Sequence, residues 1–125
     1  MRIAVLCGAL SGYMNACLKE LKETEHVNLF VANKSASDIA PFDDSIFSWI
    51  ENHYQWEKEI DQKELISRLE QFQPNLILAS NWHNPGYRKA LKYFEGRAFR
   101  IFGMDNQWLG KPKQWLGIFI SQFYL

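Results

Sequence analysis

The chain has 125 residues, the length of one domain, since domains most often run about 100–150 residues. Fourteen basic groups balance fourteen acidic ones, and zero formal charge argues against a dedicated nucleic-acid binder, which carries a basic excess. No apolar run approaches the roughly 20 residues of a membrane-spanning helix. The N-terminus is too short and too soon interrupted to form the apolar segment of a signal peptide.

The charge is unevenly distributed along the chain. Residues 1–37 hold four basic and three acidic groups, residues 38–70 hold three and nine, and residues 71–125 hold seven and two. A basic C-terminal part is suited to a phosphate-bearing ligand or to peripheral contact with an acidic membrane surface. Solvated helix faces are the simpler interpretation.

Two cysteines, Cys7 and Cys17, fit no zinc-binding spacing, and the three histidines are widely separated. We therefore predict no metal site and two reduced, buried thiols. A chain without a disulfide framework is typical of the cytoplasm, so we expect a cytoplasmic protein that can also lie at the inner surface of the membrane.

The first third of the chain predicts a strand–helix–strand unit. Arg2–Cys7 is a continuous apolar run, typical of a strand buried on both faces in a parallel sheet. A turn of small residues, Gly8–Gly12, follows it. Apolar residues then recur at helical spacing over Tyr13–Glu23, and Val27–Ala32 is a second buried strand.

The middle of the chain is harder to interpret. Asn33–Asp44 is polar and contains a proline, which indicates a loop. Ile46–Ile50 is our predicted third strand, and Asn52–Ile60 is ambiguous. Asp61 is predicted to cap the next helix, because a glutamate three residues later completes a capping box.

Two more strand–helix pairs complete the pattern. Asn75–Ala79 predicts a buried strand, and Asn84 with the following proline predicts the start of a helix that ends at Gly96. Ala98–Gly103 is the last predicted strand. Lys111–Pro112 opens a final helix.

Strands alternate with helices, so the predicted class is α/β with a mostly parallel sheet. We predict a Rossmann-like, three-layer α/β/α domain over residues 1–125, with about five strands in the order 3-2-1-4-5. In such sheets ligands bind beyond the carboxyl ends of the strands, where the strand order reverses. That edge selects three segments, Gly8–Gly12, Ser80–Pro85 and Met104–Gly110.

In the first segment, Gly8, Ser11 and Gly12 are candidate ligand-binding residues. Backbone amides at a helix N-terminus favour anions, and glycine lets a ligand approach the backbone closely. The spacing is not GxGxxG and the lysine of a P-loop is missing. A tight strand-to-helix turn is the alternative interpretation.

In the second segment, Asn81 and Trp82 are candidate ligand contacts, because an indole offers a flat face on which sugars or bases stack. His83 is a candidate general base near neutral pH. A hydrogen-bonding role without catalysis is the alternative for this histidine.

In the third segment an acid, two amides and an indole directly follow a predicted strand. Asp105 can accept a proton from a hydroxyl group, and Asn106 and Gln107 can orient hydroxyl groups because each amide both donates and accepts. Trp108 adds a stacking surface. This chemistry suits a polyhydroxyl ligand, with a self-bonded turn as the alternative.

Taken together, these segments resemble the N-terminal domain of a GT-B-fold glycosyltransferase of the family-4-like group. The likeness is carried by Met1–Leu6 with its following glycine loop, by Gln73–His83, and by Gly103–Trp108 with the segment Lys113–Gly117 after it. It spans nearly the whole chain, and only the last motif is distinctive.

The resemblance implies a two-domain enzyme with its active site in the cleft between the domains. The N-terminal domain would hold a glycan or lipid-linked acceptor, and a C-terminal donor domain, absent from this sequence, would bind the nucleotide sugar. No cofactor is expected in this domain, and the isolated chain is expected to be inactive. Asp105 stands where the family commonly has a histidine.

The final helix has a wide apolar face, made by Trp115, Leu116, Phe119, Ile120 and Phe123. Such a face is expected to be covered in a longer protein or to form a homodimer. A stand-alone Rossmann-like or flavodoxin-like binding module without catalysis is the alternative function. A nucleotide-dependent oxidoreductase fits less well, because GxGxxG and the acidic ribose partner are absent.

Overall fold

The computed structural model describes residues 1–34, 44–81, 83–103 and 110–121, and a five-stranded sheet lies at its centre. The strands are β1 (Arg2–Cys7), β2 (Asn28–Asn33), β3 (Asn52–Gln55), β4 (Leu76–Ala79) and β5 (Phe99–Phe102). Each pairs in parallel with its neighbours, in the order β3-β2-β1-β4-β5. The predicted parallel sheet and its strand order are confirmed.

Four α-helices occur in the described residues: α1 (Gly12–Glu25), α2 (Gln62–Phe72), α3 (Pro85–Tyr93) and α4 (Pro112–Ser121). The two predicted N-caps are confirmed. The Asp61 carboxylate accepts from the backbone N–H of Glu64 at 2.8 Å, and Asn84 Oδ1 accepts from that of Gly86 at 2.9 Å. The N–H groups of the first helical turn have no carbonyl partner within the helix, and these bonds give two of them an acceptor.

Alternate strand residues face two separate hydrophobic cores, as the two-residue period of a strand requires. On one face Ile3 and Val5 pack with Leu18 of α1. On the other face Ala4 and Leu6 belong to the core that contains buried residues of α2 and α3. Helices therefore cover both faces of the sheet, which gives the Rossmann-like α/β/α layering.

The predicted strand at Ile46–Ile50 is wrong. Asp44–Phe47 forms a short 3-10 helix, the N–H of Ile50 donates to the carbonyl of Phe47 at 3.0 Å, and both side chains are buried beside α1. The third strand is instead the polar segment Asn52–Gln55, paired with β2. Backbone groups form the hydrogen bonds of a sheet, so a polar segment can serve as an edge strand. The choice of a strand by its apolar residues therefore selected the wrong segment.

Two smaller expectations also fail. Cys7 is buried as predicted, but Cys17 is exposed, because it lies about 100° around the helix from buried Leu18. The helix α3 ends at Tyr93, before the predicted stop, and Gly96 adopts a left-handed φ of 71° in the turn that follows.

Apolar side chains remain exposed on α4 and on the edge strand β5. Trp115, Leu116 and Phe119 of α4 are 62%, 57% and 61% exposed, and Phe99 of β5 is 70% exposed. The predicted apolar face of the final helix is therefore present as far as its side chains are described. Among the helices of the described ranges, none has the length and apolarity required to cross a membrane.

Tyr87 fastens α3 to the carboxyl end of the sheet. Its buried hydroxyl donates toward two backbone carbonyl oxygens, that of Cys7 at 3.0 Å and that of Ala32 at 3.1 Å. Burial raises the pKa of Tyr87, so the hydroxyl keeps the proton that it donates.

The Tyr87 ring meets the ring of Trp56 edge-on at 5.3 Å. A Cβ on Gly86 would lie 2.1 Å from a Trp56 ring atom, so only glycine fits there.

We expect Tyr87→Phe to lower the free energy of unfolding by about 1–2 kcal/mol, because two buried carbonyl groups lose a donor while the ring stays in place. Urea denaturation of both proteins measures the difference. Tyr13→Phe is the matched control at a 77% exposed tyrosine, with an expected change within about 0.5 kcal/mol. Equal effects of the two substitutions would contradict this role of Tyr87.

Candidate functional site

A crevice opens between the carboxyl ends of β1 and β4. The chain leaves β1 through α1 on one face of the sheet and leaves β4 through α3 on the other. Diverging connections of this kind leave space between neighbouring strands, where ligands bind in open α/β sheets. The switch-point crevice has a volume of about 280 Å³, and its lining includes Val5, Leu6, Cys7, Met14, Leu78 and Ser80.

Backbone hydrogen bonds continue past the strand ends and fix the loops around the crevice. The N–H of Ser80 donates to the carbonyl of Leu6 at 2.8 Å, and the N–H of Gly103 donates to that of Ala79 at 2.8 Å. The segments that follow β1, β4 and β5 therefore start side by side, as the strand order predicts.

Gly8 and Asn81 come together at this edge, although 73 positions separate them in the sequence. A Cβ placed on Gly8 would lie 3.9 Å from Asn81 Nδ2, an ordinary contact distance. Asn81 adopts a left-handed φ of 66°, which asparagine tolerates better than most residues. Its carbonyl accepts from the N–H of Asn84 at 2.9 Å, which closes a turn. This turn places the amide side chain of Asn81 beside the glycine loop.

Ser11 and Gly12 lie where β1 passes into α1. Ser11 is the N-cap of α1, and its Oγ accepts from the backbone N–H of Met14 at 3.2 Å. The hydroxyl proton of Ser11 is not used by this bond, so the side chain can still donate. Gly12 is the first helical residue. Ser11 therefore has a structural task in addition to the binding role predicted for it.

The remaining predicted site residues belong to the segments that follow β4 and β5. His83 is exposed in the turn after β4. The other predicted site residues, Trp82, Asp105, Asn106, Gln107 and Trp108, lie outside the described residues. The structure therefore brings together Gly8 and Asn81 and places His83 at the same edge of the sheet.

Cys7 gives the crevice wall a neutral thiol. The side chain is 6% exposed, and burial raises its pKa to about 12 because the apolar surroundings disfavour the charged thiolate. A thiol reacts as a nucleophile only in its thiolate form. Cys7 therefore serves as a small apolar wall residue at neutral pH.

Three buried amides at the same edge, those of Asn33, Gln55 and Asn84, were not predicted as functional residues. Asn33, at the end of β2, is 1% exposed, and its Oδ1 lies 2.6 Å from His53 Nε2. Asn84 is 3% exposed, and its Nδ2 has no hydrogen-bond partner among the described residues. Asn33 could have been found from the sequence, because it is a polar residue at the end of an apolar strand. Asn84 was interpreted only as a helix cap, so the N–H groups of its side-chain amide were not considered.

The comparisons with known proteins concern the fold alone. No family model and no curated protein matches the sequence. Among solved structures, the chain is similar to glycinamide-RNase-transformylase T from Mycobacterium tuberculosis, with a TM-score of 0.52 and 12% identity. The match covers 82% of this chain and 26% of that one, so this chain spans about a quarter of the matched structure's length. At this identity the likeness supports the α/β fold and carries no activity.

We expect a thiol reagent at pH 8 to modify Cys17 rapidly and Cys7 roughly 100-fold or more slowly, because Cys7 is buried and its pKa of about 12 leaves little thiolate. Release of the chromophore from 5,5′-dithiobis(2-nitrobenzoate) gives both rates. Cys17→Ser should abolish the fast phase, and guanidinium chloride should make both thiols react quickly. Two fast thiols in the native protein would contradict the burial of Cys7.

Proposed function

We propose that this chain is the acceptor-side domain of a glycosyltransferase with the GT-B architecture, and that the acceptor binds in the switch-point crevice. The complete enzyme would transfer sugar from a nucleotide sugar to a glycan or lipid-linked acceptor. The observation that carries the proposal is the crevice itself, an apolar cleft with a polar rim at the position where open α/β sheets take their ligands.

The chemistry of the lining supports a sugar-like ligand. Sugar rings present apolar C–H faces and hydroxyl edges, so they need apolar walls with a few amide or hydroxyl groups nearby. Met14 and Leu78 supply apolar surface, and Ser80 supplies a hydroxyl group in the lining. The Asn81 amide, beside Gly8, can both donate to and accept from a hydroxyl group.

In this proposal, residues outside the crevice lining carry out proton transfer and bind the nucleotide sugar. Among the described lining residues the ionisable group is the Cys7 thiol, which keeps its proton. We therefore assign the base to His83 or Asp105, in the segments of the sequence that follow β4 and β5. Binding of the nucleotide sugar is assigned to a separate C-terminal domain. On this proposal the 125-residue chain binds acceptor but does not transfer sugar.

The neutral lining also favours a second candidate function, that of a binding module without catalysis. Such a module would hold a small polar ligand in the same crevice and would need neither His83 nor Asp105. The two candidates differ in ligand class, because the first requires a carbohydrate acceptor whereas the second accepts any small ligand of suitable size.

We expect saccharides to shift the backbone amide resonances of Gly8, Ser80 and Gly103 in ¹⁵N–¹H spectra of the chain. The probes are maltose, lactose, chitobiose and a mannobiose, with NAD as the non-carbohydrate comparison. Asn81→Gly removes the amide and suits the left-handed backbone at this position, so it should weaken saccharide binding about fivefold without unfolding the protein.

Gln73→Gly is the matched control, since Gln73 also has a left-handed φ, of 50°, but lies at the opposite edge of the sheet. It should leave saccharide affinity unchanged. Shifts at the crevice with NAD and with none of the saccharides would refute the acceptor role and favour the binding module.

A further inference from the structure

A second cavity, of about 430 Å³, lies at the amino edge of the sheet, opposite the switch-point crevice. Its walls come from the first residues of β1, β2 and β3 and from the helices α1 and α2. Three cationic side chains line it, Arg2 from the sheet, Lys22 from α1 and Arg68 from α2. Because α1 and α2 cover opposite faces of the sheet, these cations approach the amino-edge cavity from three sides.

Two of the three cations have no carboxylate partner in the described ranges of the chain. Arg68 pairs with Glu64 at 2.6 Å, whereas Arg2 and Lys22 form no ion pair there. Arg2 donates through Nε to the carbonyl of Gln73 at 2.7 Å, which orients its guanidinium group. One carboxylate, that of Glu51, lines the same cavity. The lining therefore has an excess of positive charge, which favours an anionic ligand.

The cavity also has aromatic walls. Trp49, Tyr54 and Phe72 line it, and the Lys22 ammonium lies 5.5 Å from the centre of the Trp49 ring. Arg68 is stacked over Tyr54 at 4.4 Å and donates to its hydroxyl at 3.1 Å, so this cation is held in place. The aromatic surface and the volume of 430 Å³ suit a ligand larger than a simple inorganic anion.

We propose that the amino-edge cavity binds a small phosphomonoester that carries a ring. A phosphate group has oxygens pointing in several directions and can meet cations from three sides, whereas a carboxylate presents only two oxygens in one plane. At pH 7.5 a phosphomonoester is mostly a dianion, since its second pKa is about 6. The ring would lie against the aromatic wall. This site is separate from the crevice and does not depend on the proposed function.

The phosphate group and the ring of this ligand can be tested separately with three probes: phenyl phosphate, inorganic phosphate and benzyl alcohol. We expect phenyl phosphate to shift the amide resonances of Leu29, Glu51 and Asn52 at pH 7.5 and low salt, and to bind more tightly than either of the other probes. Lys22→Gln and Arg2→Gln should each weaken its binding about tenfold, the effect expected for a lost charge-assisted hydrogen bond. Added salt should weaken it as well.

Lys89→Gln, at an exposed lysine of α3 outside the cavity lining, is the matched control and should bind like the wild type. Lys22→Gln keeps the test decisive if Arg2→Gln fails to fold, because Lys22 makes no described hydrogen bond that the fold needs. Binding that is equal in Lys22→Gln and wild type, or equal for benzyl alcohol and phenyl phosphate, would overturn the proposal. So would the absence of amide shifts with phenyl phosphate at millimolar concentration.

Discussion

The hydrogen bonds of the Tyr87 hydroxyl hold the carboxyl end of this fold together. One buried O–H group from α3 reaches the carbonyl oxygens of Cys7 and Ala32, which belong to neighbouring strands. A helix on one face of the sheet thereby fixes the end of β1, where the glycine loop begins, and the neighbouring end of β2. The Trp56 ring, seated over Gly86 and against Tyr87, ties the end of β3 to the same helix. The rim of the switch-point crevice depends on this cluster.

The two edges of the sheet differ in chemistry because different parts of each β–α unit meet there. At the carboxyl ends of β1 and β4 short turns lead into helix N-termini, so backbone amides, Ser11 and Asn81 collect around a neutral cleft. At the amino edge the C-terminal halves of α1 and α2 meet the first residues of the strands. Long cationic side chains such as Lys22 and Arg68 collect there. The opposite character of the two cavities is thus a consequence of the topology.

Features fixed by local sequence were predictable, and features that depend on distant contacts were not. Apolar runs identified four of the strands, and the caps Asp61 and Asn84 were correct because a cap acts within one helical turn. The strand Asn52–Gln55 was missed because its pairing with β2 uses backbone groups that every residue has. The Tyr87 anchor was missed because its acceptors lie 55 and 80 residues away. The Gly8–Asn81 contact was implied by the strand order rather than by either residue.

Segment charge is a poor guide to local potential in such a fold. By segment, the basic character lies in residues 71–125, and residues 38–70 are strongly acidic. Yet the cationic cavity takes Arg2 and Lys22 from the nearly neutral first segment and Arg68 from the acidic one. Because parallel strands start at one edge, residues far apart in sequence converge there, where one carboxylate, that of Glu51, joins the lining and Glu64 is paired with Arg68. Charge must therefore be assessed by sheet edge and helix face, and by that measure the lining of the amino-edge cavity is cationic.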